Sequence, residues 1–307
     1  MADSPSIAVI IVAYDSARVL QRCLDCLLAQ TRRADRIVIV DNDSPSPSYL
    51  DEIHLPAAAR LIRLPHNEGY CRANNLAYAM ARDCRYVVFL NPDAFLSERF
   101  LEEALSWMER PDNTLVGCLT GTLLGFDIEH DRPTGVIDST GILQKWYGRW
   151  YDRGRGTPSR HLTTTAAEEV PAACGALMFC KTQALEDVSL RAGEVFDPAF
   201  FMYKEDIDLS LRMRAKGWRI LYVPGLLCHH VRGWQRRRFV THQARYLSVR
   251  NELRLCLRNG GRGLPYGLAK YVYVVAIEPI LLSLHRHLTR PPGKARNDGE
   301  WRPRYRE

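Results

Sequence analysis

No GxxxxGK[ST] loop occurs in this 307-residue chain, and no GxGxxG follows its first apolar run. The usual ATPase and dinucleotide-binding readings therefore lose their main support. Nor is there an apolar run of the ~20 residues that a bilayer crossing needs. The best candidate, Tyr271 to Leu284, is 14 residues long and contains Glu278 and Pro279, so a peripheral helix is expected rather than a span. No basic, apolar, small-residue leader opens the chain, so a secretory signal is not expected. The nine cysteines are odd in number and scattered, which argues against a disulfide framework and for a reducing compartment. Cys23 and Cys26 form a CxxC with no second pair at zinc spacing. Cys23 also falls on an apolar stripe with Val19, Leu20, Leu24, Leu27 and Leu28, so helix packing explains it more simply. Internal repeats and recognised nucleic-acid motifs are missing as well.

What is present describes a chain able to bury a large core, with 46% hydrophobic residues. Charge is unevenly spread. The last 77 residues hold 17 Lys+Arg against 5 Asp+Glu, a local +12, so the remainder carries −5 of the total +7. A basic C-terminal part on a mildly acidic body suggests contact with an anionic membrane surface or a phosphate-bearing polymer, unless it is simply a solvated basic helix.

Apolar runs at Ile7 to Val12, Arg36 to Val40, Leu61 to Leu64 and Arg85 to Leu90 read as strands. Ser16 is expected to cap the helix that carries the Cys23 stripe, and a second helix is expected from about Arg72 to Arg82. Strand alternating with helix implies a mostly parallel, doubly wound sheet. The stretch Gly117 to Glu169, rich in Gly, Thr, Arg and aromatics, reads as loops with short strands over the site. Order returns at Val170 to Lys181 and in a helix from about Lys204 to Lys216, stopped by Gly217, with Asp208 and Arg212 as an i,i+4 pair. Trp218 to Val223 is one more strand, ended by Pro224, and helical, basic sequence follows.

Acidic residues collect where strands end. Asp41 and Asp43 follow the second strand, Asp93 follows Phe89-Leu90-Asn91-Pro92, and Glu205, Asp206 and Asp208 open a helix. Ligands in open α/β sheets gather beyond the carboxyl ends of strands, so Asp93 is aimed at a site. The third cluster has a plainer alternative, capping and the helix dipole. A glycine-bearing turn, Asn67-Glu68-Gly69-Tyr70-Cys71-Arg72-Ala73-Asn74-Asn75, lets backbone approach a ligand and points helix amides at negative charge.

In this order the motifs resemble family 2 of the glycosyltransferases, inverting enzymes of the nucleotide-sugar-dependent GT-A fold. The resemblance rests on Val12-Ala13-Tyr14-Asp15-Ser16, Val40-Asp41-Asn42-Asp43-Ser44, the Asn67 to Asn75 turn, Leu90-Asn91-Pro92-Asp93, Gly175 in Ala172-Ala173-Cys174-Gly175-Ala176, Glu205-Asp206-Ile207-Asp208-Leu209 with Arg212, and His230 in His229-His230-Val231-Arg232-Gly233. It implies a nucleotide site built from Tyr14, Asp15, Asp41, Asn67, Gly69, Asn75 and Asn91, with Tyr14 and Asp41 lining the nucleobase pocket. Asp93 would bind Mg2+ or Mn2+ against the donor diphosphate, with His230 completing the metal site; a purely structural His230 is the alternative. Asp206 resembles the catalytic base, with Glu205 beside it orienting the acceptor hydroxyl. Gly175 and Asp208 would lie on the acceptor side, although Gly175 between alanines could also serve close packing. Asn91 replaces the first acid of a full DxD, a variant similar to that of the rhamnosyltransferase-like branch. Asp15 stands where Asn is commoner, and Pro47 interrupts the usual DNxSxD ending. These departures bear on nucleobase choice more than on activity.

The resulting expectation is a GT-A domain over residues 1–235, a basic helical extension over 236–290 that docks on a membrane surface, and a disordered tail over 291–307. The implied enzyme is a cytoplasmic, peripheral hexosyltransferase that uses dTDP-L-rhamnose, or alternatively a UDP- or GDP-sugar. Its acceptor would be a surface glycan or one carried on a polyprenyl diphosphate, and nucleic acid is not an expected partner. A non-catalytic nucleotide-sugar-binding scaffold is the competing class. The intact acids Asp93, Glu205 and Asp206 favour the enzyme.

Overall fold

The computed structural model describes residues 6–231, 241–261 and 263–281. The expected disordered tail, the Arg232-Gly233 end of the last motif and the stretch 282–290 lie outside the described residues.

The first half of the chain alternates strand and helix: β1 (Ile7–Ala13), α1 (Leu20–Leu28), β2 (Arg36–Asp41), α2 (Tyr49–Glu52), β3 (Ala59–Arg63), α3 (Gly69–Ala79), β4 (Tyr86–Leu90), β5 (Ala94–Leu96) and α4 (Phe100–Met108). β1 and β4 are buried along their whole length, as continuous apolar runs require when a parallel strand is covered on both faces. β3 is half exposed and ends the sheet. Helix α1 buries Leu20, Cys23, Leu24 and Leu27, the stripe expected from spacing. It starts three residues later than a Ser16 cap implies. Ser16 instead makes a turn, its carbonyl accepting from the Val19 and Leu20 amides and its hydroxyl donating back to the Tyr14 carbonyl.

The second half holds β6 (Val116–Asp127), β7 (Arg132–Ser139), β8 (Ile142–Gln144), β9 (Trp150–Asp152), β10 (Glu168–Glu169), β11 (Leu177–Lys181), α5 (Thr182–Val188), α6 (Glu205–Ala215), β12 (Arg219–His230), α7 (His242–Arg258) and α8 (Leu264–Val272). The main sheet runs β10-β12-β6-β11-β4-β1-β2-β3, with β5 on β12 and β7 on β6. Its β4-β1-β2-β3 half is parallel, as alternation implies, and antiparallel β11 joins that half to β6 and makes the whole sheet mixed.

Two expectations fail here. Gly117 to Asp127 is not loop but most of β6, a buried central strand. Its polar positions are satisfied across the sheet: the Thr120 hydroxyl donates to the Leu177 carbonyl, and Thr122 pairs with the Tyr222 hydroxyl at 2.7 Å. β12 does not end at Pro224. Its register against β6 slips between Val223 and Leu227, so Pro224, Gly225 and Leu226 bulge out and the missing proline N–H interrupts no ladder. That extension carries Cys228, His229 and His230 alongside β5.

Candidate active site

The carboxyl ends of β1, β2 and β4 lie together, with Ala13 paired to Asp41 and Ile10 to Phe89. Tyr14 follows β1 and is 49% exposed, with the flat aromatic face that stacking on a planar base needs. Asp15 takes a left-handed backbone (φ 50°) and its amide donates to the Ser44 hydroxyl at 2.9 Å. Asp41 is buried and accepts from both the Ser44 amide and the Ser44 hydroxyl. Asn42 and Asn67 knit this end to the next turn: Asn42 Nδ2 donates to Asn67 Oδ1, which also accepts from the Gly69 amide, and the Glu68 amide donates to Asn42 Oδ1. Gly69 has φ +80°, and a Cβ there would come within 2.5 Å of the Phe201 ring, so only glycine fits.

Beyond β4, Asp93 faces His230. Asp93 Oδ1 stands 3.3 Å from His230 Nε2, and His230 Nδ1 lies 2.8 Å from Asp138 Oδ2. Burial alone would lower the His230 pKa, but Asp93 and Asp138 outweigh it and push it up to about 9. Two donors bonded at about 2.1–2.2 Å to one ion at roughly right angles stand about 3 Å apart. Asp93 and His230 therefore have the spacing and the hard-oxygen and imidazole chemistry to share a divalent cation. Among the described residues, no group of three or more His, Cys, Asp or Glu side chains is arranged to hold an ion by itself. A cation here would need further oxygens, such as those of a diphosphate.

Tyr70 links the end of β4 to the start of α6. Its hydroxyl reaches Asn91 Oδ1 at 3.2 Å and the Gly175 carbonyl at 3.4 Å, and the Gly175 amide donates to Asp206 Oδ2 at 2.9 Å. A Cβ on Gly175 would crowd the Asp206 carboxyl at 3.1 Å, so this glycine lets the acid sit on its amide. Asp206 opens α6, with Oδ1 accepting from the Ile207 amide at 2.8 Å. Burial raises its pKa, while the Gly175 amide, Lys204 and the Ile207 amide pull the other way. Glu205 lies deeper, with Oε2 buried and unpartnered. Burial first, then the Asp206 charge, pushes its pKa up to about 8, so it holds its proton at neutral pH. Its depth does not suit the expected contact with an acceptor hydroxyl.

Three expected site residues turn out to be braces. Asn75 donates Nδ2 to the Phe196 carbonyl at 2.7 Å and accepts from the Phe196 amide at 2.9 Å, which consumes its amide away from the nucleotide end. Asp208 is buried, its oxygens held by Arg212 Nε at 2.8 Å and Arg258 Nη1 at 3.1 Å, so it faces helix partners rather than an acceptor. Asn91, with its oxygen used by Tyr70, braces the site rather than replacing the missing first acid of a DxD.

Sequence reasoning missed the brace from α7. Fully buried Asn251 donates Nδ2 to the carbonyls of Phe200, Met202 and Tyr203 at 2.8, 2.8 and 2.9 Å. Arg250 Nη2 adds bonds to the Ala199 and Phe200 carbonyls at 3.0 Å each, and Arg258 pairs with Asp197. The segment so held contains three non-glycine left-handed residues, Phe201, Tyr203 and Lys204, directly before Glu205 and Asp206. A signal existed: Leu247, Asn251 and Leu255 recur at helical spacing, an amide in the middle of an apolar stripe. This contact ties α7 to the segment bearing the acids, across the expected boundary at residue 235.

Helix α8 continues through a π-helical turn, Tyr273–Ile277, giving one 18-residue helix from Leu264 to Leu281 with mean hydropathy 1.2 and 11% buried. It starts earlier than the 14-residue candidate, and by length and composition it is long and apolar enough to cross a membrane. One side packs on α7 through Gly267, Val274, a Lys270–Glu252 pair and an Arg245–Glu278 pair at 2.9 Å. Leu268, Val272, Ile277, Ile280 and Leu281 are exposed.

Residues 8–176 match the family model of glycosyl transferase family 2. The O-antigen biosynthesis protein RfbC of Myxococcus xanthus is 27% identical over 233 residues, 74% of this chain but only 17% of that protein. The N-acetylglucosaminyl-diphospho-decaprenol L-rhamnosyltransferase of Mycobacterium tuberculosis is 25% identical over 236 residues, covering 72% of this chain and 75% of the relative. Among solved structures, GalNAc-T7 with UDP, GalNAc and Mn2+ superposes with a TM-score of 0.64 at 18% identity, over 95% of this chain and 59% of that one. The mannosyltransferase PcManGT of Pyrobaculum calidifontis, in complex with GDP-Man and Mn2+, gives 0.56 at 19% identity, over 94% and 81%. At these identities the structures are evidence of a shared fold alone.

Proposed function

The chain belongs to glycosyl transferase family 2, and from that membership we propose that it is an inverting glycosyltransferase moving L-rhamnose from dTDP-L-rhamnose to a hydroxyl of a glycan carried on a polyprenyl diphosphate. The observation that carries the reading is the contact path Asn91, Tyr70, Gly175, Asp206. It joins the end of β4, where Asp93 stands, to the acid at the start of α6.

In the proposed reaction the acceptor oxygen attacks the anomeric carbon from the face opposite the diphosphate. The new C–O bond forms as the carbon–phosphate-oxygen bond breaks, and the acceptor proton passes to Asp206. Asp206 suits this role because burial raises its pKa above the usual carboxylate value and two amides fix its orientation. Glu205, held neutral behind it, keeps a second negative charge out of the pocket. Tyr14 and Asp41 hold the nucleobase. Asp93 and His230 would hold Mg2+ or Mn2+, which supplies positive charge against the departing nucleoside diphosphate.

A lipid-linked acceptor fits the C-terminal helices. The Arg245–Glu278 and Lys270–Glu252 pairs keep one side of α8 on α7, while its exposed apolar side is suited to lie in a bilayer interface on the cytoplasmic face. The relative from Mycobacterium tuberculosis, named for a decaprenyl-diphosphate acceptor and an L-rhamnosyl donor, supports this choice of substrates.

The test is a thermal-shift screen of dTDP, UDP and GDP with and without Mn2+, because a ligand that binds only the folded state raises Tm. The reading expects dTDP with Mn2+ to stabilise most; a larger shift with UDP or GDP would change the donor, and no shift with any of them would remove the function. Co-sedimentation with anionic vesicles should be lost in a Leu268→Asp, Ile280→Asp double variant, and unchanged sedimentation would reject the docking face.

A further inference from the structure

Asp138 belongs to none of the sequence motifs and sits in the stretch that reads as loop, yet it is buried beside His230. Its position is set by an irregularity in the sheet. β7 pairs with β6 through Ser139 opposite Leu123 and Ile137 opposite Leu124, so one step along β6 answers two along β7, and Asp138 is the extra residue of a β-bulge. Bulges re-aim a side chain that regular alternation would send elsewhere. Here the bulge faces the end of β12, where His230 pairs with Ala94 of β5 and with Gly125 of β6.

The imidazole stands between two carboxylates that are not equivalent. Asp138 Oδ2 is 2.8 Å from Nδ1, with its side chain 8% exposed; Asp93 Oδ1 is 3.3 Å from Nε2, with its side chain 23% exposed. The inner contact has the length of a full hydrogen bond, while the outer one is longer and opens towards the site. A buried carboxylate is costly to desolvate, so a bulge that delivers one to a histidine needs a reason beyond packing. Charge supplies one: a dipositive ion that takes the place of the Nε2 proton leaves a neutral set with the two carboxylates and the imidazole, and Nε2 faces the ion unprotonated only when Nδ1 keeps its proton.

We propose that Asp138 is a positioning residue that holds the His230 imidazole in its Nδ1–H form and aims the Nε2 lone pair towards Asp93, fixing the two-residue seat for the cation. The identity of that occupant, a divalent cation shared with a nucleoside diphosphate, rests on the functional reading above. Carboxylate partners of ligating histidines fix tautomer and ring orientation, and their loss typically weakens metal binding 10–100-fold.

The test titrates Mn2+, alone and with dTDP, into wild-type protein and the variants Asp138→Asn and Asp138→Leu, reading free Mn2+ by its paramagnetic resonance. Asparagine keeps a weaker acceptor and leucine none, so affinity should fall in the order Asp, Asn, Leu, the last by about 10–100-fold, while metal-free dTDP binding stays unchanged. Equal Mn2+ affinity in wild type and Asp138→Leu overturns the role. Should the variants not fold, nitrogen-15 shifts of His230 in Mg2+-loaded wild-type protein decide: a proton on Nδ1 supports the role, and a proton on Nε2 overturns it. Wild-type protein that binds dTDP but no Mn2+ overturns the cation seat and this role together. Mn2+ affinity that falls in the stated order in a protein that binds no nucleoside diphosphate supports Asp138 and removes the functional reading instead.

Discussion

Replacing Asn251 with leucine should destabilise the protein by on the order of 3 kcal/mol, because buried carbonyls lose their donor at a cost of roughly 1–3 kcal/mol each. The Nδ2 group serves the carbonyls of Phe200, Met202 and Tyr203. Phe200 keeps a bond from Arg250, so the Met202 and Tyr203 carbonyls set the loss. Part of it returns if the segment relaxes, since left-handed backbone at Phe201, Tyr203 and Lys204 costs about 1–2 kcal/mol per residue. That relaxation displaces the start of α6 and with it Asp206, so transfer should fall by more than the stability change explains. Urea denaturation is the assay: the midpoint should drop with little change in slope. Nucleotide affinity should fall less than transfer, because the proposed nucleobase residues Tyr14 and Asp41 stand at the ends of β1 and β2, outside the relaxing segment. Asn251→Asp, which turns a carboxylate towards the same carbonyls, should be worse than leucine. A leucine variant within about 0.5 kcal/mol of wild type would refute the brace, that being the usual range for surface substitutions.

Asp206→Asn should lower transfer by about 10²–10⁴-fold, the usual worth of a general base, while nucleotide binding survives; normal turnover would reject the assignment. Asp93→Ala should abolish the Mn2+ dependence of nucleoside diphosphate binding in calorimetry, and an unchanged titration would exclude Asp93 from the seat. Glu205 has a folded pKa of about 8 against an ordinary 4.5, so the folded state binds the extra proton in that window. Stability should therefore fall as pH rises from 4.5 towards 8, by up to about 1.4 kcal/mol per pH unit. Glu205→Gln should flatten that dependence and be the more stable protein at pH 8; an unaltered pH profile would show that Glu205 is not held neutral.

Much of the parallel half of the fold and the order of the site motifs could be read without coordinates. Strands buried on both faces must be continuously apolar, so β1, β2 and β4 announce themselves locally, and the acids Asp41, Asp93, Glu205 and Asp206 stand immediately after strands or at a helix start. The structure alone decided which groups serve as braces and which face the site. β6 was hidden because its glycines and threonines look like loop until Tyr222 and the Leu177 carbonyl, distant in the chain, satisfy the hydroxyls. Pro224 reads as a stop until a bulge removes the need for its missing N–H. Asn75 and Asp208 have the composition of ligands, yet Phe196 and two arginines occupy them. Asn251 and Asp138 act on partners about 50 and 92 residues away. A hydrogen bond depends on distance and direction in space, which neither composition nor periodicity encodes, whereas burial on both faces leaves its mark at every position of a strand.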